Sequence, residues 1–371
     1  MNDALRFPLW RKRLVLPLLL LAVTAAFAVQ TERTPAGRRV ARAVYRKVTG
    51  GQARFTEQVS VREFQRGSLH AHSKRSDGKA TIEQMVAWYR DHGYQFAAMT
   101  EHNKRVDPDE LASMQNNHFV LIPGEEVTNS SRGSPIHVNA LCARATVGGG
   151  VDFNDPAEAL LRVFEQVRAH DGLPLLNHPN YGWALDADDI ANGARGYYLF
   201  EVWSAHPEVN TAGDAEHPSA EAIWDAVLSR GANAAPAAVD DAHQIVDNPG
   251  GGGSTPGRGW VETFGGETSR AAICQALGAG RLYASNGPRL TSLTIEGDSF
   301  TVGVDDPSAA VAFLGESGET LPASPPFAVA SSGREHLFRY RLHGGETLVR
   351  ARVLAQDSRR AWTPAYRVAA P

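Results

Sequence analysis

The sequence predicts an α/β protein: a distorted (β/α)7 barrel followed by a small all-β sandwich-like domain. Three observations carry this reading. Between Phe64 and Pro288, short apolar runs alternate with amphipathic helical stretches, the pattern of parallel strands joined by crossover helices. Several of those runs end in a histidine or a carboxylate, and in such a barrel the reacting groups gather where strands end. Beyond Pro288 the helical period disappears, and short alternating strands split by Gly, Ser and Pro replace it.

At 371 residues and 43% hydrophobic, the chain can bury a full core. Its net charge of −4 and pI near 6.4 leave no basic footprint for nucleic acid. A small-molecule substrate is the expected partner.

Taken in order, Arg6, Arg11, Lys12 and Arg13 precede the apolar run Leu14 to Val29, which contains Ala26-Phe27-Ala28. A basic region, a short apolar region and a small-residue site describe a secretory signal peptide over residues 1–28. Cleavage after Ala28 is expected, with an uncleaved membrane anchor as the competing reading. Either way the catalytic part is expected to be exported, periplasmic or secreted, with the N-terminus as a membrane tether in the second case. Residues 29–63 read as a basic tether. Arg33, Arg38, Arg39, Arg42 and Arg46 accompany Val40, Val44 and Val48 at helical spacing, which would suit a basic helix on anionic lipid. A solvated tether that begins to pack near Val59 is the simpler reading.

The barrel is expected over residues 64–289. Its strands are expected at Phe64–His72, Phe96–Thr100, Phe119–Pro123, Ile136–Cys142, Leu173–Asn177, Tyr197–Val202 and Asn233–Val239. Helices are expected at Thr81–His92, Pro108–Gln115, Pro156–His170, Ser219–Ser229 and Thr268–Leu277. Thr81 followed by Glu83 and Gln84, and Asp155-Pro156, supply N-terminal caps. Only two cysteines occur, Cys142 in an apolar run and Cys274 on a helix. Both settings look like packed apolar faces, so buried free thiols are expected rather than a disulfide. Residues 290–371 form the expected β domain, with no ligand cluster.

The chemistry begins at His70-Ala71-His72. On a strand, side chains alternate faces, so two histidines one residue apart point the same way and can meet one cation. Later runs lead into Glu101-His102, Glu125-Glu126, Asn177-His178 and Asp240-Asp241-Ala242-His243, and His137 lies in another strand. One such ending is commonplace, whereas a coincidence across five strand ends is not. Of the thirteen histidines, His92 and His170 fall at helix ends, His118 in a loop, and His336 and His343 beyond the barrel. His206 and His217 share a loop that could fold over the site. With no Cys-rich motif, any metal must be held by imidazole and carboxylate, which suits Zn, Mn or Fe.

At this point the chain resembles the PHP (polymerase and histidinol phosphatase) superfamily of metal-dependent hydrolases. The matching pieces are Leu69-His70-Ala71-His72-Ser73, Ser76-Asp77-Gly78, Thr100-Glu101-His102-Asn103, Pro123-Gly124-Glu125-Glu126, His137, Asn177-His178-Pro179 and Asp241-Ala242-His243. Gly259 to Pro288 is similar to the end of the barrel in the secreted, carbaryl-hydrolase-like (CehA/McbA) group.

The resemblance implies two or three divalent ions. His70, His72 and Asp241 would hold one. Glu126 would bridge it to a second on His137 and His178, with the adjacent Glu125 as the alternative bridge. Asp77, His102 and His243 would hold a third. Asp241, Glu126 and His243 are the residues expected to take part in the chemistry. Glu101, where the family usually has Asp, Asn177 and Glu201 would support the ligands from behind. Arg132 is the preferred guess for a substrate contact.

A water between two cations would be acidified toward neutrality, and the cations would stabilise charge on a phosphoryl or carbonyl oxygen. The expected function is an exported metal-dependent phosphoesterase using a metal-bridging hydroxide. The alternatives are a carbamate, amide or carboxylic-ester hydrolase with the same site, and a non-catalytic metal-binding module.

Overall fold

The computed structural model describes residues 34–246, 254–322, 324 and 327–369. The expected signal peptide and the Gly250–Gly253 tract lie outside the described residues. The chain runs α1 (Pro35–Thr49), β1 (Val59–Val61), β2 (Phe64–Ser68), α2 (Ile82–Asp91), β3 (Phe96–Ala98), β4 (Val120–Ile122), β5 (Glu126–Ser131), β6 (Ser134–Leu141), β7 (Asp152–Phe153), α3 (Pro156–Ala169) and β8 (Leu173–Leu176). It continues through α4 (Ala187–Gly193), β9 (Tyr197–Ser204), α5 (Ala220–Ser229), β10 (Asn233–Val239), β11 (Trp260–Phe264), α6 (Arg270–Gly278) and β12 (Leu282–Ser285). The last strands are β13 (Leu290–Glu296), β14 (Ser299–Val304), β15 (Ala310–Leu314), β16 (Ala330–Ser332), β17 (Glu335–Arg341), β18 (Leu348–Leu354), β19 (Arg360–Trp362) and β20 (Tyr366–Arg367).

Local chemistry sets the helices. Thr81 and Gln84 form a reciprocal capping box at the start of α2, satisfying two backbone donors that the helix cannot. Asp155 accepts from the Ala157 and Glu158 amides ahead of α3, with Pro156 in the first turn. Each helix then buries one face: Met85, Val86 and Tyr89 from α2, and Leu160, Val163, Phe164 and Val167 from α3. The expected helix at 108–115 is a kinked 3-10 segment, Pro108–Met114.

The strands and helices make a mixed α/β arrangement in which the expected (β/α)7 barrel is not shown, and no closed barrel is found among the described residues. One sheet has the order β10-β9-β8-β6-β5-β7. The second is nine-stranded, β15-β18-β19-β12-β11-β2-β3-β4, with β20 on β18. The two are linked by single bridges, Ala71 to Ala242 and His102 to Glu126. Two features depart from a regular parallel barrel. Arg132-Gly133, both at positive φ, turn β5 back into β6 as a hairpin, so β6 runs against β5 and β8. Then β11 and β12 run antiparallel and pass the second sheet on to β19. Among the described residues, parallel pairing joins β2-β3-β4 and β8-β9-β10, and also β5 to the short β7.

The C-terminal strands make two layers around one core, but the second layer is the continuation of the nine-stranded sheet. The β1-β13-β14-β17-β16 sheet contributes Leu293, Ile295, Phe300 and Val302, which share a buried cluster with Val311, Phe313, Ala351 and Val353. Phe300 and Phe313 meet edge to face across it, 5.2 Å between centroids. The stretch expected as a solvated tether is structured. Its arginines reach turns and the chain end beside the C-terminal strands: Arg38 and Arg42 meet Glu316, Arg39 meets Glu319, and Arg46 donates to the Ala369 carbonyl. The downstream part supplies β1, paired with β13.

The cysteines also differ from the expectation of free thiols. Cys142, just past β6, and Cys274, on α6, form a disulfide with their Cα atoms 6.0 Å apart. Each reading of a local apolar run was sound, but packing α6 beside the end of β6 brings the two half-buried sulfurs together.

A buried ion cluster joins the two parts of the chain. Arg350 on β18 is fully buried and donates to Asp225 and Glu221 of α5, each at 2.7 Å. Burial alone would raise the Glu221 pKa, but Arg350 and Arg352 outweigh it and bring it down to about 2. For Asp225 burial wins and its pKa is raised.

Replacing Arg350 with Met strips the buried Asp225 of its ion partner and leaves Glu221 to the partly exposed Arg352 and Arg360, and should cost about 3–5 kcal/mol in denaturant unfolding. A triple Met/Leu replacement of Arg350, Glu221 and Asp225 should recover much of that loss. Reducing the disulfide, which closes a separation of 132 residues, should lower stability by about 2–4 kcal/mol, measured as a fall in Tm under reductant that a Cys142→Ser, Cys274→Ser protein does not show further.

Candidate metal centre

The centre of the site is Glu126, the first residue of β5 and 1% exposed. Its two oxygens face different histidines. Oε1 lies 3.0 Å from His137 Nδ1 and 3.5 Å from His178 Nε2, while Oε2 lies 3.1 Å from His72 Nε2 and 3.3 Å from His70 Nε2. Glu125, the other candidate bridge, points away and accepts the Val147 and Gly148 amides, both at 2.7 Å. Alternation along an extended chain separates the two neighbours.

His70 and His72 follow β2 directly, with Nε2 atoms 3.1 Å apart. Asp241 follows β10 at φ 48°, a left-handed conformation that Asp tolerates. There its Oδ1 comes within 3.3 Å and 3.4 Å of the same two nitrogens. Asp77 joins His102 and His243, its Oδ2 lying 3.3 Å from the Nε2 of each. His137 sits near the start of β6, and because that strand runs in reverse, its start lies at the end of the fold where the parallel strands finish.

All nine expected ligands are thus brought together. Their donor atoms fall into four overlapping groups, each spanning less than 4.8 Å: His72, Asp77, His102 and His243; His70, His72 and Glu126; His70, His178 and Asp241; and Glu126, His137 and His178. The grouping is less partitioned than the resemblance implies, since His72 and His178 each reach two groups.

The residues behind the donors fix their orientation. Glu201 on β9 takes the Nδ1 side of His70 at 2.7 Å and the His178 amide at 2.8 Å, which turns His70 Nε2 toward His72, Glu126 and Asp241. Asn177 donates to Glu126 Oε1 at 2.8 Å and to Asn139 at 2.9 Å. Glu101 is fully buried and accepts from the Ser73 amide at 3.1 Å and from the Ser73 and Ser76 hydroxyls. Its longer side chain holds the 73–78 turn that carries Asp77. Gly78 closes that turn, where a Cβ would lie 2.8 Å from the His72 carbonyl oxygen.

The electrostatics call for positive charge. Burial opposes charge on His70 and His72, yet Asp241 and Glu126 overcome it, raising His70 well above the ordinary range and His72 to about 10. Burial would raise Glu126 and Asp241, but the histidines hold both well below the usual carboxylate range. His137 goes the other way, lowered by burial. Its Nδ1 is buried beside Glu126 but makes no hydrogen bond. Imidazole nitrogens and carboxylate oxygens crowded against one another in a buried pocket fit divalent cations.

The donors open onto a cavity of about 230 Å³ that is also lined by Lys79, Tyr181, His206, Glu208 and Val209. The sequence reading passed over these except for suspecting the His206 loop, because none follows a strand at ligand spacing. His206 reaches the cavity, its ring 5.0 Å from that of His243, and burial lowers its pKa. Its Nδ1 accepts from the Glu208 amide, which puts its proton on Nε2. His217 instead stacks on Trp183 and does not line the cavity. Arg132 lies at the exposed β5-β6 turn with Nε on the Asn154 carbonyl, outside the cavity lining.

No family model and no curated protein matches the chain. Among solved structures it is similar to a two-domain protein from Bacteroides vulgatus containing a predicted PHP-like metal-dependent phosphoesterase, at 14% identity over 84% of this chain and 96% of that one, TM-score 0.42. It is also similar to a protein from Bifidobacterium adolescentis named as a metal-dependent phosphoesterase, at 15% identity over 57% and 95%, TM-score 0.36. A third similarity is to an amidohydrolase from Chromobacterium violaceum with bound sulfate and no metal, at 15% identity over 58% and 96%, TM-score 0.34. At such identities and scores these are likenesses only, and no activity is taken from them.

Replacing Glu201 with Ala frees the His70 ring without removing a donor. Metal affinity should fall by about 10- to 100-fold, measured by competition with a chelator, whereas Arg132→Ala should leave it unchanged.

Proposed function

We propose that the chain is an exported metal-dependent hydrolase and that its reaction is hydrolysis of a phosphoester. The observation that carries this is the convergence of nine imidazole and carboxylate donors in overlapping groups on one small cavity. His70, His72, Asp241 and Glu126 would hold one ion, Glu126, His137 and His178 a second, and Asp77, His102 and His243 a third. Such ions, when bound, supply positive charge for a developing oxyanion and lower the pKa of water.

The chain's own residues have the remaining tasks. Glu126 presents one oxygen to each of two donor groups and so fixes their separation. Asp241 brings a single oxygen, Oδ1, to both His70 and His72. Lys79 and the Nε2–H of His206 line the cavity as donors for substrate oxygens, and Tyr181, whose hydroxyl donates to Glu208, completes the lining.

A phosphoester is favoured over a neutral carbonyl substrate because only Glu126, Asp241 and Asp77 among the nine donors bring negative charge. A full set of divalent ions would exceed that charge and leave the cavity attractive to an anion. Export is supported by the basic and apolar N-terminal pattern and by the Cys142–Cys274 disulfide, since oxidised pairs persist outside reducing compartments.

The test is release of product from phosphate monoesters and diesters, compared with aryl carbamates and carboxylic esters, after loading with Mn, Zn or Fe. Phosphoester turnover should dominate and fall by about 10²-fold or more in His72→Ala. In His206→Ala it should fall by about 10²-fold with metal content unchanged. Faster turnover of carbamates or carboxylic esters would reject the phosphoesterase, and metal-loaded protein inactive on the whole panel would return the site to a binding role.

A further inference from the structure

The face that α1 turns to solvent is its apolar one. Val40, Val44 and Val48 are 54%, 57% and 81% exposed, and their spacing of four places them in one stripe along the helix. Its four arginines face the protein, whereas Lys47 is exposed. Arg38 and Arg42 reach Glu316, Arg39 reaches Glu319, Arg42 also donates to the Gly345 carbonyl, and Arg46, 3% exposed, donates to the Ala369 carbonyl. This inverts the usual surface helix, in which the apolar stripe faces the core. It also differs from a basic helix that meets anionic lipid through its arginines, because these arginines are already engaged by the chain's own carboxylates and carbonyls.

Where the helix begins in the chain says what covers the stripe. The apolar run Leu14 to Val29 ends five residues before Pro35. Those five residues, fully extended, span no more than about 18 Å. A run retained in a membrane therefore holds the start of α1 close to the bilayer surface, and the face that the helix, about 22 Å long, has left to turn toward it is the valine stripe, with the exposed Lys47 at its edge.

We propose that α1 is an interfacial membrane helix, lying on the bilayer with Val40, Val44 and Val48 at the boundary between headgroups and acyl chains, beside a retained Leu14–Val29 anchor. Three valines bind lipid weakly by themselves. The anchor raises their effective concentration at the surface, so a weak contact suffices to fix the orientation. The contact is apolar, so it does not depend on anionic lipid. None of the residues that the α1 arginines touch lines the metal-donor cavity, so the role is separable from the chemistry.

The two native cysteines are paired, so a single introduced thiol can be labelled in the full chain. Val44→Cys and Val48→Cys would carry an environment-sensitive dye, with Glu165→Cys on the exposed side of α3 as the control, in phosphatidylcholine vesicles. The expected result is a blue shift at positions 44 and 48, loss of most of the emission when the lipid carries a nitroxide, and neither effect at 165. Anionic lipid should change little. Adding Val40→Glu to the Val48→Cys chain should abolish the quenching while its metal content stays that of the parent, showing that the fold survives. An unshifted dye would leave the stripe in water. A shifted dye that lipid-borne nitroxide does not quench would assign the stripe to another part of the chain or to a second copy. Either result overturns the proposal.

Discussion

Glu126 is a carboxylate buried among imidazoles, and among the described residues its ion partners are His70, His72, His102, His137 and His178. An anion out of water is costly unless positive charge and hydrogen bonds compensate it. Here the compensation comes from groups that can be protonated or can bind a cation, and the five reach Glu126 from four segments. The chain after β2, the chain after β3, the start of β6 and the turn after β8 all end on this one carboxylate. The organisation of the α/β part can be described as the means of bringing them there.

That requirement explains why an irregular sheet arrangement is tolerated. A regular barrel would bring each group from the C-terminal end of a parallel strand. In this chain β6 is reversed by a two-residue turn, so His137 arrives from the beginning of a strand rather than its end. The supporting layer is equally dispersed in sequence: Glu201 holds His70 from β9, Asn177 holds Glu126 from the end of β8, and Glu101 holds the Asp77 turn. Each supports a donor far from it in the chain, which is how a mobile side chain becomes a fixed ligand.

The C-terminal strands are not an appendage to this arrangement. They continue the same sheet through the β12–β19 pairing, and Arg350 ties them to α5 through two buried carboxylates. The N-terminal helix depends on them in turn, because its arginines find their partners at Glu316, Glu319 and the last residues of the chain. Metal centre, β layers and N-terminal helix form one connected series of contacts.

Much of the site was legible in the sequence because its signals are local. His70-Ala71-His72 points both rings one way by strand alternation alone, and the apolar runs show which residues follow each strand. The capped helices at α2 and α3 were legible for the same reason. What the tertiary structure decided were choices among equivalent neighbours and the meeting of distant segments. Glu125 and Glu126 differ only in which side of the chain they occupy, and the side facing the histidines is set by strand pairing. Cys142 and Cys274 each sit in an ordinary apolar run, and only the placement of α6 against β6 pairs them. The stripe on α1 has the same period whichever way the helix is turned. The sequence determined that the helix has two faces; the carboxylates of a domain almost three hundred residues away decided which one is left outside, because ion pairing acts through space and leaves no period in the chain.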